Sequence, residues 1–171
     1  MEGRKGIIGL RVLCIVCISI ALFTKFYCIE LIPTSSMEKT INPPAIVILQ
    51  YASSSTEFHR GDIVSFDDYN SGESYTKRII GLPGDVVDIR KGKVYVNGKE
   101  LKEDYVSSES NFSGLFCVPT NNYFMLGDNR ANSFDSRYWS NPFVERKQIT
   151  GKVVLSIYPK YKKFSEVFYE N

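Results

Sequence analysis

The sequence has a single histidine and no long run of charge of one sign. Its 21 basic and 19 acidic side chains are interspersed and leave a formal net charge of +2. A protein that binds a phosphate backbone needs a concentrated basic patch, so we expect no nucleic-acid partner. With 43% hydrophobic residues in a chain of 171, there is enough apolar material for one ordinary core, which argues against a disordered chain.

Cysteine provides neither a disulfide framework nor a metal site. The four cysteines are Cys14, Cys17, Cys28 and Cys117, and the first two lie inside an apolar run where a small, soft side chain packs well. The spacing Cys14-x-x-Cys17 also occurs in redox and zinc motifs, but no second pair and no nearby histidine completes such a site. We therefore expect no bound metal.

An apolar run covers 6–23, which is about the length needed to cross a bilayer at ~1.5 Å rise per residue. Arg11 interrupts it near the N-terminal end, from where the guanidinium can reach the headgroups. A cleaved secretory signal would begin in the same way, but TKFYCIEL follows instead of the small residues of a cleavage site. A buried core helix is the other alternative, but the run is apolar all round and lacks the polar face of a helix that packs against a core. We expect an uncleaved transmembrane anchor.

The charges that flank this run predict its orientation. Arg4, Lys5 and Arg11 precede or open it, whereas little net charge follows it. Because basic residues stay on the cytoplasmic side, the N-terminus is expected inside. The predicted division of the chain is 1–24, a cytoplasmic N-terminus with the anchor, and 25–171, a β-rich domain on the extracytoplasmic side.

Beyond the anchor, short runs rich in Val, Ile, Tyr and Phe are separated by Gly, Pro and Asn, a pattern typical of strands and turns. No convincing amphipathic helix lies between them, so we predict a mainly β fold preceded by one transmembrane helix. The candidate strands are 45–51, 62–66, 75–81, 86–90, 93–97, 123–126 and 151–158.

Turn signals subdivide this β domain. Lys91-Gly92 joins two candidate strands, and its glycine can take the positive φ of a tight hairpin. The stretch 107–114 is polar and rich in turn residues. It indicates a surface loop or the edge of a small inserted β lobe, which we place at about 91–120.

Three polar segments contain the residues that could do chemistry: 33–40, 75–85 and 127–137. The first, PTSSMEKT, places Ser36 in an irregular stretch shortly after the anchor. Small hydroxyl residues are common in linkers, so this segment alone favours a linker.

In the second segment, Lys77 lies within an apolar run. Strand alternation puts it on the same face as Tyr75 and Ile79. If that face is buried, desolvation lowers the lysine pKa from ~10.4 toward ~7–8, and a neutral amine becomes available to deprotonate a serine. Such a lysine needs a serine partner, and Ser36 is the candidate.

The third segment, GDNRANSFDSR at 127–137, has too many polar groups for a plain loop and indicates a network of hydrogen bonds and ion pairs. A calcium site is the rival interpretation, but Arg130 and Arg137 would compete with a cation and the closing glutamate is absent. A Ser-His-Asp triad would need His59, whose neighbours resemble no catalytic segment. Serine–lysine chemistry is the better hydrolase hypothesis.

Together and in this order, these features resemble the signature boxes of bacterial type I signal peptidases, membrane-bound proteases that cut signal peptides from exported proteins. The similarity extends from about residue 32 to residue 159. The matching residues are the anchor, Ser36-Met37, Lys77-Arg78 with Gly-Leu-Pro-Gly-Asp, Gly-Asp-Asn-Arg with Ser-Phe-Asp-Ser-Arg, Gly151-Lys152 and Ile157-Tyr158-Pro159.

The resemblance implies a signal-peptidase-like β domain in which Ser36 is the nucleophile and Lys77 is the general base. Ser133 would hydrogen-bond the Lys77 amine, and the Ser36 N–H with the Thr34 hydroxyl would form the oxyanion hole. No metal and no organic cofactor is implied. The residues at positions that brace the site through ion pairs are Arg78, Asp128, Asp135 and Arg137.

The same resemblance implies substrates and a location. The substrates would be exported preproteins, cut after small residues such as alanine at the first and third positions before the cut. The lipid bilayer would be a partner, and the secretion translocon is a further candidate. The enzyme would be a single-pass protein of the cytoplasmic (inner) membrane.

One departure from the family pattern is Lys39, which stands where a proline usually follows Ser-Met-Glu. Loss of that rigid residue predicts a looser loop behind Ser36 or an altered approach of that loop to the membrane, with every catalytic group left in place. Two alternatives remain open: a conjugation-type maturation peptidase with one dedicated substrate, and an inactive membrane-tethered relative that binds exported peptides without cutting them. Self-cleaving repressors share the chemistry but carry a DNA-binding module, which this chain lacks.

Overall fold

The structure, a computed structural model, describes residues 2–69 and 71–164, with residues 2–8 described by their backbone alone. One long helix, α1 (Glu2–Phe26), opens the chain. Its segment Gly9–Phe26 has a mean hydropathy of 2.0 and none of it is buried against the rest of the protein. The apolar run predicted at 6–23 lies within this helix, which is long and apolar enough to cross a membrane.

The rest of the described chain is mainly β, as predicted. Each predicted strand is present, and the strands missed are short ones or lie directly after the helix. The strands are β1 (Tyr27–Ile32), β2 (Ala45–Tyr51), β3 (Ile63–Asp68), β4 (Glu73–Gly81), β5 (Val86–Arg90), β6 (Lys93–Val96), β7 (Lys99–Glu100), β8 (Gly114–Cys117), β9 (Asn122–Leu126), β10 (Phe143–Glu145), β11 (Ile149–Tyr158) and β12 (Lys162–Lys163).

These strands form two antiparallel sheets. The large sheet has the order β1-β2-β11-β3-β4-β9-β10, with β12 added to β11, and the small sheet has the order β7-β6-β5-β8. In the large sheet β2 and β11 lie between β1 and β3, yet the Glu30 carboxylate of β1 accepts a hydrogen bond from Ser65 of β3 at 2.9 Å. The sheet is therefore strongly curled, so that β1 faces β3 and β4 across its interior.

The small sheet spans 86–117 and shares its core with the large one. Val87 and Val96 of the small sheet are buried in the same cluster as Ile80, Phe124 and Leu126 of β4 and β9. Its hairpin turns through the residues predicted from the sequence: Lys91 and Gly92 have φ of 48° and 87°. Two successive positive φ values suit the twist of a tight hairpin. Because the two sheets share one core, the lobe is held rigidly against β4.

Candidate active site

Ser36 lies on a short 3₁₀ turn, Ser35–Met37, that follows β1. The turn is fixed by apolar burial, because the Met37 and Ile41 side chains lie in the core cluster that also contains Ile32 at the end of β1. Backbone bonds close it further, since the N–H of Ile41 donates to the Met37 carbonyl at 2.8 Å. Ser36 is only 8% exposed. The serine is thus held on a rigid turn at the end of an edge strand.

Lys77 lies in β4 and its amine reaches this serine. Lys77 Nζ donates to Ser36 Oγ at 2.8 Å and to the Thr76 carbonyl at 3.2 Å. The side chain is 3% exposed, and this burial lowers the pKa of Lys77 from about 10.5 to about 8, although Asp135 and Asp128 partly oppose the shift. An amine with that pKa is partly neutral near neutral pH and can accept a proton from a hydroxyl.

The serine and the lysine share an open cleft of about 540 Å³. Thr34, exposed at its rim, is two residues before the serine. The cleft is lined by Thr34, Ser35, Ser36, Tyr75, Lys77, Ala131, Asn132, Ser133, Phe134 and Tyr138. A cleft of this size accepts several residues of an extended peptide.

Ser133 lines the same cleft, but its hydroxyl is buried without a hydrogen-bond partner in the described structure. The hydrogen bond to the Lys77 amine that the resemblance implied is therefore not formed here. The hydroxyl lies against Gly127, where an added Cβ would overlap both Ser133 and the Ser36 carbonyl oxygen. Glycine is required at position 127 because these two serines approach its Cα so closely.

The four bracing residues inferred from the resemblance form two buried ion pairs. Arg78 donates to both oxygens of Asp128, Nε at 2.8 Å and Nη2 at 2.5 Å. Arg137 likewise donates to both oxygens of Asp135, from Nε to Oδ1 at 2.7 Å and from Nη2 to Oδ2 at 2.8 Å. Asp135 also accepts the backbone N–H of Gly127 at 3.0 Å. Such two-point pairs fix both position and orientation of the segment that carries Ser133.

Sequence reasoning missed a second set of contacts to the turn that carries Ser36. The backbone N–H of Asn129 donates to the Ser36 carbonyl at 3.0 Å, and its side-chain amide donates to the Ser35 carbonyl at 3.1 Å. Asn132 Nδ2 donates to Ser35 Oγ at 2.9 Å. Arg130 forms a two-point ion pair with Glu103, which comes from the loop after β7. The polar density of 127–137 signalled a network, but only the fold shows which residues it holds.

The rival sites are not assembled in the described part of the chain. His59 lies in the turn before β3, with Nδ1 4.0 Å from Asp62 Oδ2 and a half-exposed side chain, and it does not line the cleft. Among the described residues no group of His, Cys, Asp and Glu could hold a metal ion, and the four cysteines are free thiols. The Ser36–Lys77 pair is the feature in the cleft that can do chemistry.

In the loop behind Ser36, Lys39 occupies the position where the family pattern has a proline. Its φ is 75°, and its N–H donates to Asn42 Oδ1 at 2.9 Å. Proline cannot adopt a positive φ and has no N–H to donate. A local hydrogen bond and a left-handed backbone conformation at Lys39 thus stand where the family pattern has the proline ring, so the loop that was expected to be looser retains a local constraint.

Restoring the proline should harm this protein. We expect Lys39→Pro to lower the free energy of unfolding by about 1–3 kcal/mol, since it strains the backbone and removes one hydrogen bond. Lys39→Gly, which tolerates the observed φ, should stay within about 1 kcal/mol of the native chain. Thermal unfolding of both variants in detergent checks this, and a Lys39→Pro chain as stable as the native one would contradict it.

Burial of the Lys77 amine should also lower the free energy of unfolding of the native chain near pH 7. Because the folded-state pKa is lowered from about 10.5 to about 8, the unfolded chain binds more protons between those values, and stability rises with pH through that window. Lys77→Met should therefore be more stable than the native chain near pH 7, by about 3 kcal/mol at most. Its advantage should shrink as the pH approaches 10.5.

Urea unfolding of both chains across this pH range measures the difference. Lys99→Met, at an exposed lysine of β7, controls for the loss of one positive charge. A Lys77→Met chain that is less stable than the native one near pH 7 would mean that the amine stabilises the fold on balance.

Comparison with known proteins gives the site its context. The family model described as signal peptidase, peptidase S26, matches residues 6–158. A probable signal peptidase I-2 of Synechocystis is 40% identical over 136 residues, covering 75% of this chain and 62% of that protein. Signal peptidase I U of Bacillus subtilis is 37% identical over 151 residues, covering 80% of this chain and 81% of that protein.

A solved structure that is similar to this chain is of the same kind of protein as these relatives. A signal peptidase I from Enterococcus faecalis is 35% identical, with a TM-score of 0.51, and the match covers 58% of this chain and 98% of that chain. The family match extends over most of the sequence and includes each of the three polar segments. This chain therefore belongs to the peptidase S26 family of signal peptidases.

Proposed function

We propose that this chain is a membrane-anchored serine endopeptidase that removes N-terminal signal peptides from exported preproteins. Ser36 is the nucleophile and Lys77 is the general base. The observation that carries this proposal is the 2.8 Å contact between Lys77 Nζ and Ser36 Oγ inside a cleft where burial lowers the lysine pKa to about 8. A serine hydroxyl is a poor nucleophile until a base lies within hydrogen-bond reach, and this contact supplies the base.

The reaction follows from that contact. As Ser36 Oγ attacks the scissile carbonyl, the neutral Lys77 amine takes the hydroxyl proton. The Ser36 N–H and the Thr34 hydroxyl stabilise the oxyanion, a type of contact worth ~10²–10³ in rate. The Lys77 ammonium then gives its proton to the departing amine, which leaves an ester on Ser36. Water attacks this ester with Lys77 again acting as base, and the signal peptide leaves as a carboxylate.

Ser133 and the two ion pairs have supporting roles in this proposal. The Ser133 hydroxyl lines the same cleft as Lys77 and has no partner in the described structure, which leaves it available to the Lys77 amine. There it would orient the lone pair of the amine toward Ser36. The pairs Arg78–Asp128 and Arg137–Asp135 hold the backbone on either side of Ser133 in place.

The helix and its flanking charges support a location. We place residues 1–24 as cytoplasmic N-terminus and anchor, with 25–171 on the extracytoplasmic face of the cytoplasmic membrane. The exposed apolar side chains of Phe26, Ile29 and Leu31 continue from the helix onto β1 and keep this end of the domain at the bilayer. A signal peptide, whose apolar segment lies in the same bilayer, would emerge beside the cleft. The translocon is a further candidate partner.

The dyad is tested by cleavage of a preprotein whose signal ends in Ala-x-Ala, in detergent. The native chain should cut after the second alanine, and both Ser36→Ala and Lys77→Met should lose at least about 10³-fold in kcat/KM. For the native chain, kcat/KM should rise about tenfold per pH unit and level off above about pH 8, because only the neutral amine acts as base.

Each outcome separates the candidates. Cleavage that survives either substitution removes that residue from its role. A native chain that binds the signal peptide without cutting it would be the inactive relative, and one that cuts a single dedicated substrate would be the maturation peptidase. Lys152→Met, at a lysine outside the cleft, is the control for loss of a lysine.

Removal of residues 1–24 should leave a folded domain with weaker membrane binding. The two sheets and their core lie entirely after this segment, so the truncated chain should retain β-sheet circular dichroism and one cooperative unfolding transition. Flotation with lipid vesicles should recover less of it than of the full chain. An insoluble product without a transition would contradict this domain boundary.

A further inference from the structure

Two strand edges meet at the candidate active site. β1 pairs with β2 along one edge, and no described strand pairs with its other edge. The part of β4 that pairs with β9 begins at Arg78, so 73–77 are paired on the β3 side alone. Ser36 lies shortly after the end of β1, and Lys77 is the last residue in the part of β4 that is paired on one side only. An extended peptide that offers a carbonyl to Ser36 can lie between these two edges.

A carboxylate lies on the interior side of this gap. Along β1 the side chains of Ile29 and Leu31 are 62% and 61% exposed, whereas Glu30 and Ile32 turn inward. Glu30 accepts hydrogen bonds from Ser65 at 2.9 Å and from Thr76 at 3.3 Å. The Ser65 and Thr76 hydroxyls are 2.9 Å apart. We name these three residues the Glu30 cluster.

The mechanism proposed above makes no use of this carboxylate. Burial raises the pKa of Glu30, and the two hydroxyls only partly offset the effect. Its inward neighbours include Ile32 and Val47, which belong to the apolar core. A half-buried carboxylate beside apolar side chains is unfavourable, and such groups concentrate at sites of function. Two hydroxyls leave part of its acceptor capacity available to a ligand, since a carboxylate offers about four lone-pair positions.

Thr76 connects the cluster to the chemistry. It immediately precedes Lys77, and its carbonyl accepts a hydrogen bond from the Lys77 amine. In an extended substrate successive residues advance about 3.3 Å and alternate in face, so the third residue before the cut lies ~7 Å from the first and on the same face. When the first residue before the cut lies at Ser36, the third residue therefore lies farther along the gap. Its side chain then points toward Glu30 on the interior side.

We propose that the Glu30 cluster receives the substrate side chain at the third position before the cut and favours one that donates hydrogen bonds, namely serine, threonine or lysine. The inference rests on the proposed function and refines its specificity. Alanine leaves the carboxylate with no new partner. A valine places an apolar branch against it and is disfavoured, because a buried acceptor loses its hydration without gaining a donor.

The test compares peptide substrates that differ only at the third position before the cut. Threonine and valine have the same shape, and lysine and methionine have similar length, so each pair isolates hydrogen bonding. For the native chain we expect kcat/KM ratios of about tenfold for threonine over valine and for lysine over methionine, as one hydrogen bond to a charged group provides.

Variants at Glu30 identify the source of the preference. Glu30→Val should bring both ratios to about one or below, whereas Glu30→Gln, which keeps an acceptor without the charge, should retain the threonine preference and lose that for lysine. Glu57→Val, at an exposed glutamate in the loop between β2 and β3, should leave both ratios unchanged. Each ratio is taken within one variant, so a partly unfolded preparation does not alter it.

The outcomes separate this inference from the proposed function. A native chain that cuts the alanine substrate but shows no threonine or lysine preference overturns the inference alone. Ratios that persist in Glu30→Val do the same, since the preference would then arise elsewhere. A native chain that cuts none of the peptides, the alanine substrate included, overturns both.

Discussion

The site depends on one constraint: Lys77 must be buried next to Ser36 without a carboxylate of its own. Burial lowers its pKa to about 8, and an ion pair would raise it again. Two fully buried carboxylates, Asp128 and Asp135, belong to the same region and act in that unfavourable direction. Each is held at two points by an arginine, Arg78 or Arg137. The arginines therefore offset the negative charge that would otherwise keep the lysine protonated.

The same network extends to the small sheet. Glu103, from the loop after β7, pairs with Arg130, and Arg130 donates to the Gly127 carbonyl at 3.0 Å. Asn129, between them, binds both the Ser36 and Ser35 carbonyls. The position of the turn that carries Ser36 is thus set by contacts from β1, from 127–137 and, indirectly, from the lobe. A side chain held on three sides loses little entropy on reaching a reactive geometry.

Sequence reasoning found what local patterns encode and missed what the topology creates. Alternating apolar runs predicted the longer strands, and the resemblance singled out Ser36 and Lys77, which the structure brings to 2.8 Å. β1 was missed because its six residues follow the apolar helix without a turn signal, and Glu103 because its partner is 27 positions away. The backbone conformation at Lys39 was not foreseen, since a single positive φ and its local hydrogen bond have no signature in one sequence.

The three carboxylates around the site have different partners, and the difference follows whether they act on the pKa of Lys77. Asp128 and Asp135, which influence the Lys77 pKa, are neutralised by arginine. Glu30, which does not contribute to that shift, is bound among the described residues by the Ser65 and Thr76 hydroxyls. An unpaired carboxylate near the lysine would raise the pKa of Lys77, whereas one beyond Thr76 can remain an acceptor. Strand β4 separates these two environments, because Lys77 and Thr76 point to opposite faces of it.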